Sequence, residues 1–331
     1  MKLADIFFQM KSDLQYLEKE MEKAISTKEH LLFKSSSHLL KAGGKRIRPI
    51  FVLLSGKFGV YDREQLKYIA VALELIHMAS LVHDDVIDDS EKRRGKQTVK
   101  SLWDNKIAMY TGDYLFAEAL LMVTTLEIPR VHQILSKAMM EMTVGEINQI
   151  RDFNNWDQNL RHYLRRIKRK TALLIAVSCQ LGAIVSGAPE PYVRALFHYG
   201  YNVGMAFQVT DDILDFVGDE KKLGKPAGSD LRQGNITLPA LYCYQSPEMG
   251  SRIRGMMENV VLSNLTEGVI IPDNRMADAI QLIRNSEGID YAQSLADRYI
   301  LRAKACLEQL PDNAARKSLL EVANFIGKRQ Y

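Results

Sequence analysis

The stretch that decides the fold runs from Leu66 to Asp89 and reads LKYIAVALELIHMASLVHDDVIDD. Its apolar residues recur at spacings of three and four, a pattern typical of one face of an amphipathic helix. That face ends in carboxylates, because Asp84, Asp85 and Asp88 form a DDxxD motif. At about 3.6 residues per turn, these three side chains project from neighbouring points on the helix. The pattern therefore predicts a buried helix whose end carries an inward-pointing acidic cluster.

A second acidic cluster repeats the first one further along the chain. The segment FQVTDDILD contains Asp211, Asp212 and Asp215 in the same DDxxD arrangement, again at the end of an apolar helical pattern. Two polar side chains precede the clusters on the same predicted faces. His77 lies two turns before the first cluster, and Gln208 lies one turn before the second.

Helical periodicity also dominates the rest of the chain. Similar patterns occupy about residues 105–126, 130–151, 190–217 and 288–309, and no run of strand length alternates cleanly. Gly and Pro residues separate the patterns by short connections, without a Ser- or Pro-rich linker. The sequence therefore predicts an all-α fold in which residues 1–331 form a single domain.

Composition limits the function classes. The chain has 331 residues and a net charge of +4, too small an excess to favour a nucleic-acid partner. Cys179, Cys243 and Cys306 lie far apart, without disulfide or zinc spacing, so a reducing cytoplasm is expected. The uncharged segment 171–189 contains several polar and Gly residues, which favours a buried helix over a transmembrane span.

Inward-pointing acid clusters need cations. At an effective dielectric constant of about 20 and a separation of about 4 Å, each pair of carboxylates repels by roughly 4 kcal/mol. The candidate ligands are all oxygen atoms, which favours Mg²⁺ over zinc. The two motifs therefore predict a Mg²⁺ site of trinuclear type that binds a diphosphate between two helices. The alternative is that each motif is a solvated helix end, which two copies on apolar helices make less attractive.

Basic residues stand near the acid clusters or at predicted helix breaks. The segment GGKRIRP, residues 43–49, places three cations around such a break. Arg93 and Arg94 follow the first cluster, Lys170 stands at the predicted start of a long apolar helix, and Lys225 lies in a Gly-rich loop. Arg binds phosphate bidentately and Lys acts as a point charge, so these residues predict direct anion sites beside the metal-dependent one.

The motifs GGKRIRP, HDDVIDDSEKRRG, KT, FQVTDDILD and GKPAGSD, in this order, resemble those of the trans-prenyl diphosphate synthases. The resemblance spans essentially the whole chain, and among these enzymes it is strongest to the catalytic subunit, component II, of bacterial heptaprenyl diphosphate synthases. It implies an isoprenoid-synthase-type helical bundle around a central cavity, with three Mg²⁺ ions. It also implies repeated condensation of isopentenyl diphosphate onto farnesyl or geranyl diphosphate. The product would be heptaprenyl diphosphate for menaquinone side chains.

The resemblance assigns roles to the residues that match the motifs. Mg²⁺ and the allylic diphosphate are bound by the aspartates of both clusters, Asp84, Asp85, Asp88, Asp211, Asp212 and Asp215. The diphosphate of isopentenyl diphosphate is bound by Lys45, Arg48, His77 and Arg94. The charge of the allylic diphosphate is neutralised by Arg93, Lys170 and Lys225. The side chains beside the reacting carbon are Thr171 and Gln208. One position departs from the family pattern, since Asn235 stands where Lys is common.

Product length is expected to depend on the residues below the first cluster. Ala79 and Ser80, one turn earlier, are small, and Ile76 is a candidate for the wall or floor of a tunnel. Because bulky aromatics at this depth would block elongation, their absence predicts a long product. The alternative is that the small residues only permit close helix packing.

Two other functions and several partners stay open at this point. A class I terpene cyclase would not need the cations expected to bind isopentenyl diphosphate, and a non-catalytic subunit would be expected to have lost an acid cluster. The chain is expected to form a homodimer or a heteromer with a small non-homologous subunit, without a transmembrane span. At about 0.8 kcal/mol per buried CH₂, a long product would leave slowly, so release at a membrane surface is physically reasonable.

Overall fold

The computed structural model describes residues 3–44, 46–93, 95–218, 226–256 and 274–328. The all-α fold predicted from the sequence is confirmed. The helices are Leu3–Gln9, Lys11–Ala24, His30–Lys41, Ile47–Gly56, Arg63–Ile87, Val99–Leu102, Asn105–Thr124, Pro129–Arg151, Leu160–Ile167, Leu173–Val185, Glu190–Val217, Ser229–Arg232, Leu238–Gln245, Asn274–Arg284, Glu287–Leu307 and Ala314–Gly327. Residues 247–256 are also helical, and Lys168–Ala172 form a π-helix.

Strands are short in the described part of the chain. Lys92–Arg93 pairs antiparallel with Lys96–Gln97, and the two form a small ribbon. Gly95 occupies the intervening turn with a φ of 76°, a backbone conformation that favours glycine. The ribbon follows the first acidic cluster and turns the chain back towards it.

The chain forms two compact units, each built from separated stretches. The first contains Met1–Ala138, Leu174–Gly200 and Ala305–Val322. The second contains Met139–Leu173, Tyr201–Lys304 and Ala323–Tyr331. Each unit carries one of the two DDxxD motifs, because Asp84 lies in the first unit and Asp211 in the second.

The first unit is built around Arg63–Ile87, which we call the first aspartate helix. It packs against Asn105–Thr124 and Ile47–Gly56. Leu66 and Leu73 on this helix are fully buried, and burying each such side chain contributes roughly 1.5–3 kcal/mol. By length and composition the helix could cross a membrane, but 67% of its apolar window is buried, as in the core helix of a globular protein.

Close approach of backbones is visible in the same unit. A Cβ atom on Gly182 would lie 2.3 Å from the carbonyl oxygen of Val52, so only glycine allows these two helices to approach this closely. Leu174, Val177 and Leu181 on the helix Leu173–Val185 are buried. This part of the uncharged segment is therefore a buried helix, as predicted.

The helix Glu190–Val217, which we call the second aspartate helix, carries the second acid cluster. Its part from Tyr201 onward, with that cluster, belongs to the second unit. A Cβ atom on Gly204 of this helix would lie 2.5 Å from the Cα atom of Ala172. Aromatic pairs pack elsewhere in the unit, with Tyr242 stacked on Tyr291 at a centroid distance of 4.4 Å. The close approach of Gly204 to Ala172 places the second aspartate helix beside the chain around Thr171.

We expect Gly182→Ala to destabilise the protein. The new methyl group would meet backbone atoms of Val52, which cannot move without shifting a packed helix. Overpacking of this kind costs roughly 1–3 kcal/mol, so the midpoint of thermal unfolding should fall by several degrees. The control is Gly255→Ala, because Gly255 is helical and a Cβ atom there meets nothing within 4 Å. Equal midpoints for the two variants would contradict the prediction.

Candidate active site

The first acid cluster lies where its helix ends. The first aspartate helix stops at Ile87, and Asp88 is its C-cap, with its backbone N–H donating to the Asp84 carbonyl at 2.8 Å. Asp85 is buried, Asp84 is partly buried and Asp88 is exposed. Asp88 is thus the aspartate of this motif that the rest of the protein does not cover. The reason is that the helix, and with it the buried face, ends one residue earlier.

Asp85 is paired with Arg93. The Arg93 Nε atom donates to Asp85 Oδ1 at 2.8 Å, and the short ribbon places Arg93 there. Burial raises the pKa of the Asp85 carboxyl, and the positive charge of Arg93 opposes this increase. Since Asp85 is 2% exposed and Arg93 is part-exposed, the pair presents a cation beside an almost fully desolvated carboxylate.

Asp85 and Arg93 line one pocket of the first unit together with His77 and Gly43. The structure therefore brings together three of the predicted site residues and Gly43, the first residue of GGKRIRP. Arg48 is partly buried in the helix that follows the glycines of this segment. Lys45 and Arg94 lie outside the described residues.

Arg46, the middle cation of GGKRIRP, does not have the diphosphate-binding role that the sequence predicts for Lys45 and Arg48. Its Nε atom lies 2.6 Å from Glu18 Oε1, and its Nη1 atom lies 3.2 Å from Glu74 Oε1. A further bond joins Nη2 to the Leu40 carbonyl at 3.1 Å. The guanidinium is 7% exposed and its charge is already compensated by two carboxylates, so Arg46 braces the segment and is not available for a phosphate.

The second acid cluster is more deeply buried. Asp212 and Asp215 are each 2% exposed, and Asp211 is partly buried. Asp215 Oδ2 accepts a hydrogen bond from the backbone N–H of Asp230 at 3.1 Å, and the Asp215 carbonyl accepts one from Gly228 at 2.7 Å. The end of GKPAGSD, at Gly228 and Asp230, is thus tied to the second aspartate helix through Asp215. Lys225, in the same motif, lies outside the described residues.

Asp212 is held by side chains on both of its oxygens. Tyr163 Oη donates to Oδ2 at 2.7 Å, and Gln208 Nε2 donates to Oδ1 at 2.9 Å. Thr171 Oγ1 in turn donates to Gln208 Oε1 at 2.6 Å. The predicted site residues Thr171, Gln208 and Asp212 therefore form one continuous hydrogen-bonded chain in the second unit.

The electrostatics of Asp212 fit a cation site. Burial, followed by the negative charge of Asp230, raises the pKa of Asp212 to about 7, and the hydrogen bonds from Gln208 and Tyr163 oppose the increase. Among the described residues, the positive charge of Arg166 also lowers this pKa but does not outweigh burial, and a bound divalent ion would stabilise the charged carboxylate. All the donors are oxygen, the kind of ligand that Mg²⁺ prefers.

The described side chains alone do not form a complete metal site. Among these residues, no group of three or more His, Cys, Asp and Glu side chains is placed to hold a metal ion. Mg²⁺ usually keeps several waters and takes one or two carboxylates together with substrate phosphates. Each motif by itself therefore fits Mg²⁺ that arrives with a diphosphate better than a dedicated all-protein cage.

The surroundings of Lys170 differ from the sequence prediction. Lys170 and Thr171 were expected to open a helix, but they lie in the π-helical turn Lys168–Ala172, which joins Leu160–Ile167 to Leu173–Val185 without a break. Lys170 is exposed, and its Nζ atom donates to Gln149 Oε1 at 2.8 Å. Isolated π turns inside helices are frequent at functional sites, which suits the position of these two residues.

The remaining predicted residues are also placed. Ile76 and Ala79 are fully buried in the first aspartate helix, whereas Ser80 is partly buried and donates to the His77 carbonyl at 2.9 Å. Asn235 follows the short helix Ser229–Arg232, and its backbone N–H donates to the Asp230 carbonyl.

Sequence reasoning missed the roles of Tyr163, Gln149 and Asp230. No local pattern marks Tyr163, whose partner lies 49 residues away.

Solved structures define the class of protein to which this fold belongs. Heptaprenyl diphosphate synthase from Staphylococcus aureus matches with a TM-score of 0.89 and 42% identity, over 97% of this chain and 99% of that one. A Caulobacter crescentus polyprenyl synthase, complexed with calcium and isoprenyl diphosphate, matches with a TM-score of 0.90 and 30% identity, over 100% and 98%. The fold is that of the all-α isoprenyl diphosphate synthases.

Sequence comparison leads to the same class. The polyprenyl synthetase family model matches residues 29–264. Heptaprenyl diphosphate synthase component 2 of Geobacillus stearothermophilus is 51% identical over 331 residues, covering 100% of both chains. The chain belongs to the polyprenyl synthetase family, which confirms the resemblance found in the sequence motifs.

The raised pKa of Asp212 predicts how the metal-free protein responds to pH. Between an ordinary carboxyl pKa of about 4 and the native value, the folded state holds a proton that the unfolded state has released, so stability falls as pH rises. Asp212→Asn cannot titrate and serves as the reference. From pH 5 to pH 8, we expect the wild type to lose roughly 2 kcal/mol relative to this variant in urea unfolding. Parallel pH profiles would contradict the prediction.

Proposed function

We propose that the protein adds successive isopentenyl diphosphates to an allylic diphosphate, giving an all-trans polyprenyl diphosphate of seven isoprene units. The observation that carries the proposal is that both DDxxD motifs are intact in a chain 51% identical, over its full length, to a heptaprenyl diphosphate synthase component 2. Farnesyl or geranyl diphosphate is the primer in this proposal. The product would supply menaquinone side chains, and the two compact units would act as one catalytic domain.

The proposed metal is Mg²⁺, with three ions per active site. The ligands in this proposal are Asp84, Asp85, Asp88, Asp211, Asp212 and Asp215. Bound Mg²⁺ would stabilise the negative charge that develops on the departing diphosphate. The burial of Asp212 and Asp85 supports this assignment, since it raises the pKa of each and a bound cation would stabilise the charged form.

The protein's own residues would orient the substrates and shield the reaction. Arg93, Lys170 and Lys225 would neutralise the allylic diphosphate, which is the electrostatic part of the catalysis. The Thr171–Gln208 pair would present a partial negative charge beside the allylic carbon as its bond to oxygen breaks. The diphosphate of isopentenyl diphosphate would be bound by Lys45, Arg48, His77 and Arg94. Its double bond then attacks the allylic carbon, and the proton lost from the adduct passes to the released diphosphate.

Incubation of the purified protein with Mg²⁺, farnesyl diphosphate and labelled isopentenyl diphosphate tests the proposal. Chromatography of the extracted product should show a label that requires both substrates and a chain of seven isoprene units. A cyclic hydrocarbon formed without isopentenyl diphosphate would instead identify a terpene cyclase. Complete inactivity, also after addition of a component 1 subunit, would identify a non-catalytic chain.

Product length provides the second test. Ser80 is partly buried one turn before the first cluster, and its neighbours Ile76 and Ala79 are fully buried, so an aromatic ring at position 80 would fill space below the aspartates. We expect Ser80→Phe to shorten the product by several isoprene units while condensation continues. The control is Gln65→Phe, on the exposed part of the same helix. An unchanged product length in Ser80→Phe would reject the tunnel.

A stripe of exposed apolar side chains supports an oligomeric state. On the helix Pro129–Arg151, Met140, Val144, Ile147 and Ile150 follow one another at spacings of four, three and three and are 46–68% exposed. Such stripes mark protein interfaces, and two-fold self-association is the commonest oligomer. We propose that this stripe packs against a second copy of the chain. The component 2 name of the Geobacillus relative supports an additional, different subunit.

Light scattering of the purified protein tests the stripe. Ile147→Arg places a charge in its centre, and we expect it to convert a dimer into a monomer because an unpaired charge would have to be buried. Leu301→Arg is the matched control, since Leu301 is 65% exposed outside the stripe. If the wild type is already monomeric, the stripe does not pack against a second copy of the chain.

The same proposal places the enzyme in the cytosol. Cys179 and Cys243 are buried free thiols and Cys306 is a partly buried one, as expected for a reducing compartment.

Release of the long product at a membrane surface also belongs to the proposal. Burial of each added five-carbon unit contributes up to about 4 kcal/mol to product binding, so a long product would otherwise leave slowly.

A further inference from the structure

The hydroxyl group of Tyr163 lies in a place where a phenylalanine would pack equally well. Tyr163 is fully buried on the helix Leu160–Ile167, and its ring lies 5.7 Å from the Arg166 guanidinium. The Oη atom donates to Asp212 Oδ2 at 2.7 Å. Because the ring alone could fill the core, the hydroxyl needs a separate physical reason, and its bond to Asp212 provides one.

The geometry around Asp212 fixes the plane of its carboxylate. Tyr163 donates to one oxygen, and Gln208 donates to the other at 2.9 Å. Gln208 cannot rotate freely, because Thr171 Oγ1 donates to its Oε1 atom at 2.6 Å. A carboxylate has about four acceptor positions, so two remain for other ligands after both donors are in place. The two donors thus orient Asp212 without blocking it.

We infer that Tyr163 is a positioning residue that orients Asp212 towards a divalent cation. This inference rests on the proposed function, in which Asp212 is a metal ligand. Groups that hydrogen-bond a metal-binding carboxylate hold it in the geometry that the metal needs, and their loss typically weakens metal affinity about 10- to 100-fold. Gln208 has a proposed place beside the reacting carbon, whereas the hydroxyl group of Tyr163 would act through Asp212.

The competing explanation is that the Tyr163 hydroxyl contributes only to stability. A buried hydroxyl bonded to an acceptor stabilises almost any core, so a stability measurement alone cannot separate the two explanations. The chain offers a matched control in Tyr199. It is also fully buried, and its Oη atom donates to the Leu319 carbonyl at 2.6 Å, so its acceptor is a backbone group and not an aspartate.

The experiment compares Tyr163→Phe, Tyr199→Phe and the wild type in the full-length protein. Mn²⁺ binding is measured by electron paramagnetic resonance, with and without inorganic pyrophosphate. The Mg²⁺ concentration that gives half-maximal thermal stabilisation with pyrophosphate is measured in parallel. We expect both variants to lower the unfolding midpoint of the ligand-free protein. Only Tyr163→Phe should weaken Mn²⁺ and Mg²⁺ binding, by about tenfold.

The outcomes separate this inference from the proposed function. If the wild type condenses isopentenyl diphosphate and Tyr163→Phe binds Mn²⁺ as tightly as the wild type, the positioning role is wrong and the proposed function stands. The same conclusion follows if Tyr199→Phe weakens Mn²⁺ binding to an equal extent, because the effect is then one of general stability. If the wild type binds no divalent cation with pyrophosphate, both the inference and the proposed metal site are overturned.

Discussion

The constraint on which the structure depends is the burial of carboxylates near the ends of two core helices. Asp85, Asp212 and Asp215 are almost inaccessible to water. Burial makes the charged form of Asp85 and of Asp212 less favourable, as the raised pKa of each shows. A buried charge without a partner destabilises a protein. The ends of the two aspartate helices therefore favour the binding of cations, which stabilise the charged carboxylates. The polyprenyl synthetase fold concentrates this preference for cations at the ends of two long core helices.

The protein stabilises its buried carboxylates differently in each unit. In the first, Arg93 reaches Asp85 from a short ribbon, so a protein cation already stands beside the carboxylate. In the second, the hydrogen bonds to Asp212 from described side chains come from the neutral donors Tyr163 and Gln208, which stabilise the charged form without cancelling the charge. The positive charge of Arg166 lowers the pKa of Asp212 less than these two bonds do. Neutral donors preserve the attraction for a metal ion, whereas a salt bridge competes with it. The two motifs share a sequence pattern but not an electrostatic environment.

Periodicity alone predicted the helices that matter. The pattern over 190–217 corresponds to the helix Glu190–Val217, and the pattern over 105–126 corresponds to Asn105–Thr124. These patterns are reliable because each records a continuous buried face. The exposure of Asp88 could not be predicted in the same way, since it depends on the helix ending at Ile87. A spacing rule assumes that the helix continues.

Long-range contacts explain the other differences from the sequence prediction. The cations of GGKRIRP look equivalent in sequence, yet Glu18 and Glu74, 28 residues away on either side, engage Arg46. The bond between Tyr163 and Asp212 joins two helices that share no local signal. Side-chain partners of this kind are set by tertiary packing, so only the structure identifies them.

The π-helical turn has a consequence for the register of the chain. In a regular α-helix, residues eight positions apart, such as Tyr163 and Thr171, differ by about 80° around the axis. A turn closed by i→i+5 bonds advances less per residue, which brings the two side chains back to one side. Both then reach the same stretch of the neighbouring helix, Tyr163 at Asp212 and Thr171 at Gln208. If this segment kept its length but adopted regular α-helical bonds, the tyrosine and the threonine would diverge by that angle and could not both reach the neighbouring helix.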